Sequence, residues 1–322
     1  VLRNARPVLL AALAISAISI YGLSQVKVES SLESYFQADA PLVIANRAME
    51  KMSGSRTINI VITKSGEEEP WKNPDNLKVV EEFQEFLANE PRVKRTLSLV
   101  DLIKRISYAF NENRKEFNRL PNGFEFLESE EIFEENGQTE KRTVKREISG
   151  RELIAQYLVL YENSGGDVLS DVVDSEYLNL NLAVTISSNS TTEEEKLLQS
   201  IEDYAVRQFP QGFSMTSSGM VPINVATSNE VVTSQIRSLS GSILAVFLML
   251  ALIFRSVSRG LMGMIPLVFT VLFNFGVMGF FGVHLDIGTA LVSSIVIGIG
   301  VDYSIHYLSS MFHELAVGTE LH

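Results

Sequence analysis

Residues Ile287–Met311 read IGTALVSSIVIGIGVDYSIHYLSSM, an apolar run of membrane length with a single carboxylate, Asp302, inside it. About 20 mostly apolar residues are enough to cross roughly 30 Å of hydrocarbon. An ionised Asp near the centre of such a helix costs roughly 2.5–3.5 kcal/mol on insertion scales. A carboxylate in this place needs a partner inside a helix bundle or a task that requires a titratable group. The expectation is a membrane protein whose Asp302 binds and releases a proton. A purely structural hydrogen bond to a neighbouring helix is the alternative.

The spacing around Asp302 supports a built site. Ser294, Gly298, Asp302 and His306 follow one another at intervals of four, which makes a slanted stripe along one side of a helix. Leu291, Ile295, Ile305 and Ser309 share that side, so the stripe is mixed. Ser293, Gly300 and Ser304 cluster on another side. Small residues on both sides allow close approach of neighbouring helices, and a helix buried within a bundle is expected. His306 reads either as a relay partner of Asp302 or as an interfacial polar anchor. Tyr303 reads as packing or as an interface hydroxyl. For Asp286 and His284, at the start of the segment, a turn or cap role is the default.

Three further stretches approach spanning length: Pro7–Leu23, Ser240–Phe254 and Leu261–Phe281. The second can extend backwards through Leu239 and Ile236. Arg3 and Arg6 precede the first stretch, which exceeds the usual length of a signal-peptide apolar region and lacks a good cleavage site, so a retained helix is expected. Arg255 and Arg259 flank the turn between the second and third spans, whereas Gly282–Asp286 holds no Lys or Arg. The positive-inside rule then places the N-terminus and the Arg255–Arg259 turn in the cytoplasm, and the long middle region outside it. The resulting division is 1–25, 236–256, 260–282 and 286–312 as transmembrane helices, 26–235 as an extracytoplasmic domain, and 313–322 as a cytoplasmic tail or the start of a linker. The expected localisation is multi-pass in the cytoplasmic (inner) membrane of a bacterium or archaeon.

Composition averages these parts and conceals them. Over 322 residues 20% are charged and the mean hydropathy is only +0.14, but the charges are concentrated between about Lys27 and Arg237. There are no cysteines, so an exported domain must fold without disulfides. The net charge of −12 argues against a nucleic-acid partner.

Within the middle region strand and helix signals alternate. Thr57–Thr63 (TINIVIT) is followed by Asn73-Pro74-Asp75 opening a helix with Leu77, Val80, Phe83, Phe86 and Leu87 at helical spacing, then by a strand over Val93–Leu99. The order recurs: Tyr177–Ile186 as a strand, a helix from Thr191 carrying Leu197, Leu198, Ile201 and Tyr204, and a strand at Phe213–Ser217. Two β-α-β units of this kind point to a ferredoxin-like sandwich. The fold class expected is therefore an α+β membrane protein, a four-span helix bundle with a large extracytoplasmic α/β porter-like domain. Between the units, acid-dense Glu125–Glu135 and basic Lys141–Arg146 read as a solvated surface with a hairpin. Arg151–Tyr161 reads as an amphipathic helix with Leu153, Ile154, Tyr157, Leu158 and Leu160 buried. From Val221-Pro222 a long helix runs into the second span.

Enzyme motifs are missing. No GxxxxGK[ST], HExxH or Cys/His metal spacing occurs, and none of the four spans supplies the second aspartate an intramembrane aspartyl protease needs. No catalytic residue, metal site or cofactor is expected.

The segment Gly298-Ile299-Gly300-Val301-Asp302-Tyr303-Ser304-Ile305-His306 resembles the Gly-x-Asp-Tyr motif on the fourth helix of a half-transporter in the resistance–nodulation–division (RND) superfamily, in its MmpL-like and hopanoid-exporter-like branch. Phe254-Arg255-Ser256, Ile265-Pro266, Leu285-Asp286, Ser31–Phe36 with Asp39, Asn73-Pro74 and Val93–Asp101 add weaker likeness. The resemblance implies a proton-coupled secondary transporter, not an enzyme, exporting lipids or other hydrophobic molecules and driven by the proton gradient. It assigns the relay to Asp302, Tyr303 and His306, with Ser294, Gly298, Gly300 and Ser304 packing around it. It also implies membrane lipids and a companion half or second copy as partners, this chain being one partial half. A Patched-like or sterol-sensing-like sensor without transport, and a SecDF-like secretion accessory, share the architecture and remain alternatives.

Overall fold

The computed structural model describes residues 5–29, 36–37, 39–135, 138–188 and 190–317, with side chains left undescribed at 5, 125–145, 312 and 314–317. Arg3, Ser31–Tyr35 and the tail beyond 317 lie outside the described residues, as do the side chains of the acidic and basic runs in 125–145. The chain forms two compact units, Val1–Phe36 with Ser190–Thr192 and Asn224–His322, and Gln37–Asn189 with Glu193–Ile223.

In chain order the helices are α1 (Ala5–Leu23), α2 (Pro41–Met52), α3 (Pro74–Ala88), α4 (Leu99–Phe110), α5 (Gly150–Asn163), α6 (Leu169–Val172), α7 (Thr191–Gln208), α8 (Met220–Ile253), α9 (Val257–Phe281) and α10 (Ile287–Val317). The strands are β1 (Arg56–Lys64), β2 (Val93–Leu97), β3 (Phe124–Glu135), β4 (Gln138–Ser149), β5 (Asn179–Ile186) and β6 (Phe213–Ser218).

The second unit is built on a four-stranded sheet of order β2-β5-β1-β6. All its pairings are antiparallel, and each of the two strand–helix–strand runs, β1-α3-β2 and β5-α7-β6, contributes two strands. Period-2 alternation drives this: Ile58, Ile60 and Ile62 of β1 and Leu180, Leu182, Val184 and Ile186 of β5 are all fully buried. Each such side chain contributes roughly 1.5–3 kcal/mol on burial, and a one-residue slip would turn the whole set to the other face. The helices close over them with Leu77, Val80, Phe83 and Leu87 of α3 and Leu197, Leu198 and Ile201 of α7. In α5, Leu153, Ile154, Tyr157 and Leu158 are buried as expected, but Leu160 is 45% exposed and drops out of that set. The hairpin lies where it is expected, with β3 and β4 paired along their full lengths.

Buried polar groups fix the start of α4. Ser98 caps the helix, and Asp101 Oδ2 accepts from the Ser98 backbone N–H at 2.8 Å, a reciprocal capping box. Gln84 of α3 reaches across, donating to Asp101 at 2.7 Å and Thr96 at 3.0 Å and accepting from the Ser98 hydroxyl at 2.9 Å. A similar knot holds the loop before α3, where Glu67 accepts from Asn73, Asn76 and Arg151 at 2.9, 2.8 and 3.0 Å. Burial pushes the Glu67 carboxyl up, but these donors outweigh it and hold it below the ordinary glutamate range.

The first unit contains four helices that are long and apolar enough to cross a membrane, α1, α8, α9 and α10. Two of them are longer than a bilayer needs. α8 runs 34 residues without a break, about 51 Å at 1.5 Å per residue.

Candidate functional site

The site is built on α10, and its start is fixed by chemistry at Asp286. The Asp286 carboxylate accepts from the Thr289 backbone N–H at 2.7 Å, while the Thr289 hydroxyl accepts from the Asp286 N–H at 2.8 Å. Just before it, Leu285 donates its N–H to the Lys27 carbonyl (2.8 Å) and accepts from the Glu29 N–H (3.2 Å), so the chain after α1 is tied to the chain before α10.

From there α10 packs one stripe inward. Ser293, Ile297, Val301, Ser304 and Leu308 are buried at intervals of three and four. Ile297 and Val301 join Leu250 of α8 and Met264 and Leu267 of α9 in an apolar cluster. Gly300 belongs to this contact: a Cβ there would sit 3.2 Å from Leu267 Cδ1. A polar link crosses the same seam, Asn274 Nδ2 of α9 donating to Ser293 Oγ at 3.1 Å, with Ser293 donating to the Thr289 carbonyl at 3.0 Å.

The stripe read from the sequence lies beside that seam, on the open side. Ser294, Gly298, Asp302 and His306 are all exposed, and a Cβ on Gly298 would meet nothing within 4 Å. Among the described residues neither Asp302 nor His306 has a hydrogen-bonding or ion-pairing partner. The seven grouped residues thus divide. Gly300 and Ser304 pack, Asp302, His306, Ser294 and Gly298 face outward together, and Tyr303, 75% exposed, stands apart from them. Among the described residues burial of α10 on two faces is not realised, because α9 and a part of α8 cover one side of it.

Tyr303 lines a different feature, an open apolar groove of about 700 Å³ between α9 and α10 that includes Ile265, Pro266, Gly300, Ser304 and Tyr307. Pro266 lies inside α9, where it removes a backbone donor. Four residues on, the Thr270 hydroxyl donates to the Pro266 carbonyl at 2.8 Å.

Sequence reasoning passed over the α1–α9 contact. Gly22 of α1 and Gly276 and Gly279 of α9 let the two backbones touch: a Cβ on Gly276 would sit 2.7 Å from Ser19 Cα, and one on Gly279 would collide with the Gly22 carbonyl. The signal was present as small residues one turn apart on both helices, Ser19 and Gly22 on α1 and Gly276 and Gly279 on α9, since small residues let helix backbones approach closely in lipid. Asn274 was passed over as well, as an amide within an apolar run.

Comparison with known proteins agrees with this architecture. A protein of Methanocaldococcus jannaschii, MJ1562, whose name describes it as a membrane protein, is 26% identical over 120 residues. That stretch takes in 36% of this chain and 31% of the archaeal protein, so the chain spans well under two thirds of that relative's length. The profile of the MMPL family matches residues 163–320, from the end of α5 through α10, and includes Asp302 and its whole neighbourhood. Over those residues the chain is similar to the MMPL family, in keeping with four helices long and apolar enough to cross a membrane among the described residues.

Proposed function

We propose that the chain is part of a proton-motive-force-driven exporter of lipids or other hydrophobic molecules, with Asp302 as the proton-binding group. The observation that carries the reading is the placement of Asp302, an exposed and unpartnered carboxylate well inside a membrane-length helix. Held charged against lipid, it would cost roughly 2.5–3.5 kcal/mol; protonation removes that cost, and so does a partner from outside the chain. The outward stripe Ser294–Gly298–Asp302–His306 is therefore the face on which a companion half, or a second copy, supplies the relay partner. His306 stands one turn from Asp302 to pass the proton on, and Tyr303, next in sequence to Asp302, faces the α9–α10 groove instead. No cofactor has a role, the gradient being the energy source.

The sheet order β2-β5-β1-β6, with one helix inside each strand–helix–strand run, supports a ferredoxin-like porter unit. Arg6 in the first turn of α1, Arg255 between α8 and α9 and Arg259 in the first turn of α9, against the Lys- and Arg-free turn at 282–286, support a cytoplasmic-membrane orientation with that unit outside.

The test is transport by the full-length protein in proteoliposomes. Efflux of a fluorescent lipid should follow an imposed pH gradient, collapse with a protonophore and be lost in Asp302→Asn. Lipid binding without gradient-dependent efflux in the wild-type protein would point instead to a sensor.

A further inference from the structure

Helix α2 carries its polarity reversed. Its sequence is PLVIANRAMEKM, and at 100° per residue Leu42, Ile44, Met49 and Met52 fall on one broad arc together with Ala45 and Ala48. That arc faces out: Leu42, Ile44, Met49 and Met52 are 52%, 56%, 55% and 85% exposed. The opposite side, turned toward the protein, holds Val43, 3% exposed, with Asn46 and Glu50 only partly exposed, the Glu50 carboxylate 3.5 Å from the Ser187 hydroxyl. A helix on a water-facing surface shows the reverse arrangement, apolar inward and polar outward.

Two observations identify what covers the arc. Arg47 and Lys51, one turn apart and both exposed, border its edge. An apolar arc edged by long basic side chains suits a helix lying flat at the headgroup level, its cations reaching phosphates while its apolar side enters the acyl boundary. The second observation is connectivity. Only residues 24–40 separate the end of membrane-length α1 from α2, and Phe36, within that link, is 50% exposed. The sequence thus ties the arc to a membrane-length helix by one short link.

We infer that α2 is an interfacial membrane helix, resting on phospholipid on the side of the membrane where the C-terminal end of α1 emerges. The inference goes beyond the transport reading and does not depend on proton coupling. It gives the sheet-bearing unit a second, non-covalent hold on the bilayer and a direct contact with lipid headgroups.

The chain has no cysteine of its own; with any cysteine elsewhere in the full-length protein replaced by serine, one introduced cysteine takes the nitroxide label at one place. The full-length protein carrying Met49→Cys or Met52→Cys is reconstituted into phosphatidylglycerol-containing vesicles, with Val206→Cys, 86% exposed on α7, as the water-facing reference. Collision with oxygen, which partitions into lipid, is compared with collision with a water-soluble nickel chelate. The expected result is an oxygen-to-nickel ratio several-fold higher at 49 and 52 than at 206. A ratio equal to that at 206 would place the arc in water and overturn the inference. Low accessibility to both reagents would overturn it equally, showing the arc covered by protein such as a second copy.

Discussion

Asn274 of α9 donates a hydrogen bond to Ser293 of α10 across 3.1 Å, and the Ser293 hydroxyl in turn donates a hydrogen bond to the Thr289 carbonyl of its own helix. The pair is a polar rivet in an apolar seam, close to the stripe that bears Asp302. Hydrogen bonds between membrane helices contribute about 0.6 kcal/mol on average. Asn274→Ala and Ser293→Ala should each destabilise by that order, and the double variant by less than the sum. Reversible unfolding in mixed micelles measures the cycle; strict additivity would mean that the two side chains do not interact.

Close contact of α1 and α9 depends on glycine. A side chain at Gly276 meets Ser19 Cα at 2.7 Å, so backbone would have to move. Gly276→Leu should lower the detergent melting temperature by several degrees or prevent folding. Gly241→Ala, where a Cβ meets nothing within 4 Å, should leave the melting temperature unchanged or raise it slightly through helix propensity. Equal effects at the two positions would contradict the packing.

Gln84 ties three partners together beneath the start of α4. Gln84→Leu preserves bulk but strips the amide from Asp101, Thr96 and Ser98. Because one of those partners is charged, a loss of roughly 1.5–3 kcal/mol is expected. A denaturant midpoint unchanged from wild type would remove Gln84 from the network.

Glu67 makes the stability of its unit depend on acid. Its carboxyl is held below the ordinary glutamate value in the folded chain. A depressed folded value means that its contribution is present above the unfolded pKa and is lost as pH falls through the folded one. Glu67→Gln should therefore destabilise at neutral pH, with the difference from wild type shrinking as pH falls below the ordinary glutamate range. A pH-independent difference would show that hydrogen bonding alone, and not charge, is at work.

Much of the fold is legible in the sequence because its periods are clean. Ile58, Ile60 and Ile62 alternate strictly, Leu77, Val80, Phe83 and Leu87 keep helical spacing, and the four spans declare themselves by length and hydropathy. Helix α2 escaped because its apolar arc is short and interrupted by Asn46, Arg47 and Glu50 within a single 12-residue helix, a weak periodic signal. The strand reading Val93–Leu99 overruns β2 into the cap and first residue of α4, and the helix that follows went unread, since only the cap at Ser98 marks the change. For the site, the Asp302 stripe is legible from spacing by four, but spacing does not tell which side of a helix is covered. That depends on α9, which takes the Ser293–Ile297–Val301 side and leaves Asp302 outward.

The most direct measurement is proton flux itself. Full-length protein in vesicles loaded with a pH-sensitive dye is compared as wild type, Asp302→Glu and Asp302→Asn under one imposed gradient. Wild-type flux, partial flux with the displaced carboxylate of Asp302→Glu and none with the amide is the expected order. Undiminished flux in correctly inserted Asp302→Asn would contradict a proton-binding role for Asp302.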